Sequence, residues 1–241
     1  TTLSSGGRSE LQVYYDKQQR DQWKLEESTT TYDINYNYQL PSLGRHEIIL
    51  GGGYRYIDDE LPNGDVSKGQ VRFFTPERRD DELFSFFAQD EIEVLNDTLW
   101  LTLGIKLEDN DYSGFDAQPN VRLRWALSER HMLWGAISKA IRTPSRAEHD
   151  ALILLDIVDT GQPPTALVLM GNDDFDNEEL IAWELGYRFL NSDTLSFDLS
   201  LFYNDYDNLR LAENIDETGS PKPETPALAA MIITSTGVSA K

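Results

Sequence analysis

Five side chains in the middle of the sequence have the chemistry to bind an anionic small molecule. They are Arg122, Arg124, Trp134, Ser138 and Arg142. The spacing of two between the first two arginines, and the even spacing among the other three residues, place each set on one face of an extended strand. A guanidinium offers parallel N–H donors to a carboxylate or similar anion. We therefore take these five residues as candidate ligand contacts, with Arg142 foremost.

A second role is open for Arg142. It stands where a predicted strand gives way to a long loop, residues 143–178, and Pro144 stiffens the turn that follows it. A guanidinium at this point can also pair with loop acids such as Glu148 and hold the loop in place. The sequence leaves both roles, ligand contact and loop anchor, as hypotheses.

Enzyme chemistry is not indicated. The three histidines, His46, His131 and His149, are dispersed, and no pair has the spacing of metal ligands. Ser145 lacks the Gly-x-Ser-x-Gly elbow of a nucleophile. The acidic run 173–178 lacks the glycine and the terminal glutamate spacing of a calcium loop. We predict no catalytic residue, no metal site and no cofactor.

Composition narrows the class of protein. The 241 residues contain 21 Lys and Arg against 42 Asp and Glu, a net charge of -21, which disfavours nucleic acid as a partner. No apolar run approaches the roughly 20 residues of a membrane helix. A transmembrane β-barrel stays open, because only alternate residues of its strands meet lipid. The absence of cysteine fits a Gram-negative outer-membrane protein, although cytosolic proteins can also lack cysteine.

Hydrophobic alternation dominates the sequence. From Leu99 to Leu107 every odd position is apolar, and the same period of two recurs in 121–127 and 195–201. Repeated ten-residue segments of this kind are typical of a membrane-spanning barrel wall. We predict an all-β, antiparallel meander of about ten strands, at 9–19, 28–40, 46–58, 82–95, 98–109, 118–128, 131–142, 179–190, 194–206 and 226–235.

The phase of the alternation assigns a face to each side chain. The predicted lipid-facing residues include Tyr32, Ile34, Tyr36, Tyr38, Leu40, Ile181, Trp183, Leu185, Tyr187 and Phe189. The predicted lumen-facing residues include Asp33, Asn35, Glu184 and Arg188. On the strand that starts near residue 99 we expect Leu99, Leu101 and Leu103 on the convex face and Trp100, Thr102 and Lys106 on the concave one. Simple hairpin register predicts the cross-strand pairs Glu108 with Arg122 and Arg188 with Asp198.

The connections at the two strand ends differ. Turn-forming residues mark short hairpins at 41–44, 96–97, 128–130 and 191–193. Acidic residues crowd beside the opposite strand ends, at 58–60, 108–116, 173–179 and 205–217, and predict long loops there. Two apolar loop stretches, 151–158 and 165–170, are expected to form a hairpin above the membrane or to pack over a barrel mouth.

Four segments between residues 84 and 209 carry motifs in a fixed order: Phe86–Glu91, Ala136–Ser145, Glu178–Arg188 and Phe202–Leu209. Together they resemble TonB-dependent outer-membrane receptors. Ala136–Ser145 is similar to the family's Ser-x-x-x-Arg-x-Pro-Ser segment, which follows a transmembrane strand. Phe86–Glu91 is similar to its Ala-Gln-Asp element, which precedes a strand ending like 101–106. Glu178–Arg188 resembles its Glu-Leu-Gly-Tyr-Arg strand, and Phe202–Leu209 resembles the following strand end.

The resemblance implies a 22-stranded barrel filled by an N-terminal plug. It also implies energised uptake of a ferric siderophore or similar scarce nutrient, driven by TonB through the plug. The implied partners are outer-membrane lipid and lipopolysaccharide, TonB and an iron chelate, in the outer membrane of a Gram-negative bacterium. Residues 1–241 contain no plug, and no terminal aromatic strand follows. We therefore expect a mature or excised fragment of the barrel, slightly less than half of its wall.

Two alternatives remain. A passive porin would present a similar wall around an open aqueous channel, without the receptor motifs. A soluble all-β binding domain would bury its apolar strand faces against a second sheet. Outward aromatic residues and long loops on one side disfavour the soluble domain.

Overall fold

The computed structural model describes residues 6–22, 25–65, 67, 69–158, 165–192, 195–214 and 231–235. Almost all of this part is extended chain, with a five-residue helix, α1 (Arg146–Asp150). The strands are β1 (Arg8–Gln22), β2 (Leu25–Gln39), β3 (His46–Glu60), β4 (Arg72–Phe74), β5 (Arg78–Leu95), β6 (Leu99–Asn110), β7 (Gly114–Ser128), β8 (His131–Arg142), β9 (Ala151–Val158), β10 (Thr165–Met170), β11 (Glu178–Ser192), β12 (Leu195–Asp207), β13 (Arg210–Asn214) and β14 (Met231–Ser235).

Nine long strands form one sheet, which we call the wall. Its order is β1-β2-β3-β5-β6-β7-β8-β11-β12, and every neighbouring pair is antiparallel. The predicted antiparallel meander is confirmed. Most predicted strands lie within two or three residues of their observed bounds, and the bounds of β8 are the predicted ones. Among the described residues, no helix has the length and apolar character that crossing a membrane requires.

The remaining strands form a second, five-stranded sheet in the order β13-β14-β10-β9-β4. The apolar stretches β9 and β10 pair antiparallel, which agrees with the hairpin, one of the two predicted alternatives. The prediction of a wall strand at 226–235 is wrong for the part that the structure describes, because β14 pairs with β10 and β13 instead. Alternation predicts that a segment is extended, but backbone pairing decides which sheet it joins. Residues 226–230 lie outside the described part.

The wall has an apolar face and a polar face. Leu99, Leu101 and Leu103 pair with Trp125, Leu123 and Val121 on the apolar face, while Trp100, Thr102 and Lys106 lie on the other. The side chains of the apolar face are widely exposed; Leu103 and Leu199, for example, are 42% and 45% accessible. The predicted assignment of these residues to opposite faces is confirmed.

Buried apolar side chains lie outside the wall. Within the described residues they are Leu61, Phe74, Ala151 and Phe175. The first three form a small core between β4, β9 and the start of the β3–β5 connection. Among the described residues of the wall, the large side chains of the apolar face are exposed or half-buried. In a β-sandwich a second sheet would cover them.

The polar face carries cross-strand ion pairs. Asp33 is buried and accepts a hydrogen bond of 2.8 Å from Nε of Arg55. Arg188 and Asp198 are direct cross-strand partners with a 2.6 Å contact, which confirms the predicted pair. The polar face thus carries paired charges on both sides of the sheet, at β2–β3 and at β11–β12.

The predicted pair of Glu108 with Arg122 is wrong. Glu108 lies opposite Asp116, and Arg122 lies opposite Thr102. The reason is the β6–β7 turn, which is only three residues long instead of the predicted long acidic loop. Oδ1 of Asn110 accepts hydrogen bonds from the backbone N–H groups of residues 112 and 113, and this closes the turn early.

Short turns connect the wall strands at the opposite end, as predicted. Asp97 has a φ of 53°, the left-handed conformation that Asp and Asn tolerate best among residues with a Cβ. A register shift between Glu93 and Leu95 accompanies this turn, and another lies between Ala126 and Ser128 beside the β7–β8 turn. Such bulges are usual for hairpins of this length.

Candidate functional site

All five predicted ligand residues lie on the polar face, but they do not form one site. Arg124 and Trp134 are cross-strand partners near the short turns. The guanidinium of Arg124 lies 3.9 Å from the centre of the Trp100 ring and donates a hydrogen bond of 3.3 Å to Glu91. Arg122 lies two residues further along the same face. We call Glu91, Trp100, Arg122, Arg124 and Trp134 the wall patch.

Arg142 lies at the other end of β8, where the long connections start. It follows Trp134 by eight residues, which corresponds to about 27 Å of extended chain. Ser138 lies between them, opposite Asn120. The candidate residues therefore divide into the wall patch and a separate group around Arg142.

Arg142 binds two glutamates. Its Nη1 and Nη2 atoms donate hydrogen bonds of 2.9 and 3.0 Å to the two carboxylate oxygens of Glu148. Its Nε donates a hydrogen bond of 2.6 Å to Glu178, the first residue of β11. The predicted contact with Glu148 is present, so Arg142 joins the strand end to the loop that follows it.

Glu148 is the centre of this group. It also accepts hydrogen bonds from N–H and Oγ of Ser145, at 2.8 and 2.9 Å, and from Nη1 of Arg210, at 2.8 Å. Burial raises the pKa of the Glu148 carboxyl, but the hydrogen bonds from Arg142 and Ser145 outweigh it and lower the pKa to about 2. We call Arg142, Ser145, Glu148, Glu178 and Arg210 the rim clamp.

The rim clamp depends on the local fold of α1. Ser145 is the N-cap, and Glu148 three residues later completes a capping box, since each side chain bonds the backbone N–H of the other residue. The Ser145-x-x-Glu148 spacing is the signal in the sequence that could have predicted this helix. Because α1 is short, tertiary contacts must supply most of its stability.

A second group of charges holds the other side of α1. Arg146 bonds Asp59 and the carbonyl oxygen of Pro76, and its Nε lies 3.5 Å from Asp150. Nη1 of Arg79 lies 3.2 Å from both oxygens of Asp150, and Nε of Arg79 donates a bond of 2.8 Å to Asp81. These side chains are largely buried, unlike the arginines of the rim clamp.

His149 and Tyr112 complete this group. Nδ1 of His149 lies 2.7 Å from Asp150, and the hydroxyl of Tyr112 donates a bond of 2.9 Å to Asp81. The guanidinium of Arg79 lies 4.2 Å from the centre of the Tyr112 ring. We call Asp59, Arg79, Asp81, Tyr112, Arg146, His149 and Asp150 the buried ion cluster.

The buried ion cluster contains more carboxylates than guanidiniums. Asp59, Asp81 and Asp150 face two arginines, Arg79 and Arg146. Burial raises the pKa of Asp59, the charge of Arg146 lowers it, and the nearby Asp81 raises it again, to a value of about 6. Asp59 therefore takes up a proton under mildly acidic conditions.

The two groups make α1 a link between distant strands. Its side chains contact β3 and β5 on one side, through Asp59 and Arg79, and β8 on the other, through Arg142. Arg142 in turn bonds Glu178 of β11. In the wall, β3 and β8 are four strand spacings apart, about 19 Å. All four of these residues lie in the phase of the polar face. The start of the β8–β11 loop is therefore fastened across the polar face at the long-loop end.

Comparison with known proteins decides the family. A family model described as TonB dependent receptor-like, beta-barrel matches residues 1–227. The chain belongs to this family. Members of the TonB-dependent receptor family are outer-membrane β-barrels of Gram-negative bacteria. The resemblance seen in the sequence motifs is confirmed.

Two curated relatives of this TonB-dependent receptor chain are siderophore receptors by name. A probable TonB-dependent siderophore receptor, PirA of Acinetobacter baumannii, is 28% identical over 65% of the chain and 19% of its own length. A ferric enterobactin receptor of Pseudomonas aeruginosa is 34% identical over 52% of the chain and 17% of its own length. The matched stretches thus cover less than a fifth of these receptors.

Solved receptor structures share the fold. The crystal structure of the siderophore receptor PirA from Pseudomonas aeruginosa superimposes with a TM-score of 0.73 at 19% identity, over 98% of this chain and 40% of that one. PirA from Acinetobacter baumannii gives a TM-score of 0.70 at 20% identity, over 98% and 39%. The wall corresponds to part of a receptor barrel, and it is not closed by itself.

Metal binding by the receptor chain itself finds no support in the part that the structure describes. Within those residues, no three His, Asp or Glu side chains are grouped so that they could hold a metal ion. Asp59, Glu148, Asp150 and Glu178 at the long-loop end are bonded to arginines.

Acidification is expected first to strengthen and then to weaken the attachment of α1 in the receptor. Asp59 has a pKa of about 6 against 3.8 ordinarily, so the folded state takes up its proton first and is favoured as the pH falls below 6. Glu148 has a pKa of about 2 against 4.5, so its stabilisation is complete above 4.5 and is lost as the pH falls towards 2. Hydrogen exchange of residues 146–150, corrected for intrinsic rates, measures both the strengthening below pH 6 and the weakening towards pH 2.

Two variants separate the effect of Asp59 from the effect of Glu148. Asp59→Asn should flatten the change between pH 7 and 4.5, and Glu148→Gln should remove the loss below 4.5. Protection of α1 that falls steadily from pH 7 to 5 in the unsubstituted receptor would contradict the assignment to Asp59.

Proposed function

We propose that this chain forms part of the barrel wall of an outer-membrane receptor that takes up a ferric siderophore with energy supplied through TonB. The observation that carries the proposal is the family match over residues 1–227 onto a nine-stranded meander with an exposed apolar face and a polar face. In such barrels the apolar face meets lipid and the polar face lines the lumen. TonB acts through the plug of the intact receptor.

The apolar face supports the proposed location in a Gram-negative outer membrane. Tyr15, Tyr32 and Tyr56 form a row across β1, β2 and β3, midway along β1 and β2, with ring centres 5.1 and 6.3 Å apart. Near the short turns, His131 stacks on Phe189 at 4.5 Å. Aromatic bands at two levels, with apolar side chains between them, are typical of barrels held between two membrane interfaces. The proposed partners at this face are phospholipid and lipopolysaccharide.

The names of the relatives support the ligand class. They are receptors for siderophores, and one is in complex with enterobactin in its crystal structure. We propose a ferric chelate as the ligand of this receptor, transported and not retained as a cofactor. The proposed ligand contacts are Arg122, Arg124, Trp134, Ser138 and Arg142, of which Arg142 lies nearest to the long-loop end.

The proposal is tested by uptake. The intact receptor, expressed in a Gram-negative strain without its own siderophore receptors, is expected to accumulate radioactive iron supplied as ferric enterobactin or another ferric siderophore. Uptake should stop when TonB is deleted and should saturate at low ligand concentration. Uptake that continues without TonB and rises linearly with concentration would indicate a passive porin. No uptake of any tested chelate by folded, surface-exposed receptor would remove the proposal.

A further inference from the structure

The two arginines of the rim clamp are far more exposed than the glutamate that they share. The side chain of Glu148 is 4% accessible, whereas those of Arg142 and Arg210 are 44% and 56% accessible. We infer that Arg142 and Arg210 form an anion-binding site at the barrel mouth that the chain's own Glu148 occupies, and that an anionic ligand displaces Glu148. The displacement frees the first residues of the β8–β11 loop.

Donor geometry supports an exchange. A guanidinium has five N–H groups. Arg142 uses one on Glu178 and two on Glu148, which leaves two N–H groups of its terminal nitrogens outside these bonds, on a side chain that is 44% accessible. Arg210 directs Nη1 to Glu148. A ligand can therefore bond both guanidiniums from the open side before Glu148 leaves.

Charge balance defines the class of ligand. Arg142 and Arg210 carry two positive charges, and Glu148 and Glu178 carry two negative ones, so the clamp is neutral. A neutral clamp attracts an incoming anion only weakly unless one carboxylate departs. A ligand with paired anionic oxygens and more than one charge, such as phosphate, a catecholate or a polycarboxylate, can make the same two-oxygen contact that Glu148 makes. A monovalent anion with only one oxygen that accepts hydrogen bonds cannot make this two-oxygen contact.

The other attachment of α1 does not exchange. The side chains of Arg146 and Asp150 are 7% and 5% accessible, so a ligand in the mouth cannot reach them. Release is therefore confined to the Ser145–Glu148 side, while the buried ion cluster holds the Arg146–Asp150 side as a pivot. Binding of an anion is converted into movement of one end of a loop.

This inference rests on the proposed function in one respect, that a ligand reaches the mouth from outside. The test uses purified intact receptor in detergent and inorganic phosphate as the probe, and it measures no transport. Failure of uptake and failure of phosphate binding are therefore separate results.

Calorimetric titration with phosphate is expected to show at least about tenfold tighter binding to Glu148→Gln than to the unsubstituted receptor, because the internal competitor has lost its charge. Adding Arg210→Gln to that variant should abolish the gain. Glu179→Gln is the matched control, since it removes one acid that pairs with Lys139 at 2.7 Å outside the clamp. Its phosphate affinity should equal that of the unsubstituted receptor. Equal affinities of the Glu148 and Glu179 variants would overturn the site.

A second measurement uses the unsubstituted receptor alone, so it decides the question even if a variant does not fold. Saturating phosphate is expected to raise hydrogen exchange of residues 143–148 while residues 150–154 stay protected. Unchanged exchange of residues 143–148 up to the solubility limit of phosphate would overturn the displacement.

Discussion

Arg146→Met is expected to detach α1 from the wall, at a local cost of about 3–5 kcal/mol. Removal of Arg146 leaves Asp59 and Asp150 buried with one cation fewer, and a buried charge without its partner is strongly destabilising. Methionine retains much of the side-chain volume, so the loss is of charge and hydrogen bonds more than of packing. Native-state hydrogen exchange of residues 146–154 in the intact receptor measures the local free energy of opening.

Arg78→Met is the matched control for this prediction. Arg78 makes a two-point contact with Asp58 at 2.8 and 2.9 Å, but its side chain is 69% exposed. Because water screens such a pair, the same substitution should lower protection of the loop far less than Arg146→Met does. If the two variants lower protection of the loop equally, burial of the ion cluster does not determine how the loop is held.

Leu199→Arg is expected to destabilise insertion of the intact barrel by about 2–4 kcal/mol if Leu199 lies near the bilayer midplane. Leu199 is on the apolar face of β12, opposite Tyr187 on β11, and nothing in the described chain covers it. An arginine there must enter lipid or distort the strand. Folding into vesicles of defined lipid, followed by urea titration, measures the change in free energy.

Ser200→Arg provides the control one residue further along the same strand. Ser200 lies opposite Gly186 on the polar face, so an arginine there points away from lipid and should cost much less. Both variants have the same new side chain and the same strand, and they differ only in face. Equal losses for the two would show that the assignment of lipid-facing and lumen-facing residues is wrong.

The wall was predictable because its signal is local. Each strand shows its period of two within about ten residues, and hairpins connect consecutive strands through short turns. The face of Leu199, the bounds of β8 and the pair of Arg188 with Asp198 all follow from phase and from simple turns. The contact of Arg142 with Glu148 was predictable for the same reason, because the two residues are only six apart in the sequence.

The register of two paired strands was predictable only where the length of the turn between them was predicted correctly. The three-residue turn after Asn110 shifted β7 against β6, so Glu108 met Asp116 and not Arg122. A run of acids looks like a loop in the sequence, although acids at alternate positions can equally belong to two strands that continue beyond the membrane. The side-chain hydrogen bonds of Asn110, which close the turn, decide between the two.

The sequence by itself determined a strand-rich chain with one lipid-compatible face, because the alternation of apolar and polar residues depends only on residues that are close together in the sequence. Only the tertiary structure decided how the loop is fastened. Arg146 and Asp59 are 87 residues apart in the chain, and Arg210 and Glu148 are 62 apart. An arginine among many acids has many possible partners in the sequence. The fold brings particular partners within reach, and in the buried ion cluster the loss of one partner is costly because the others stay buried.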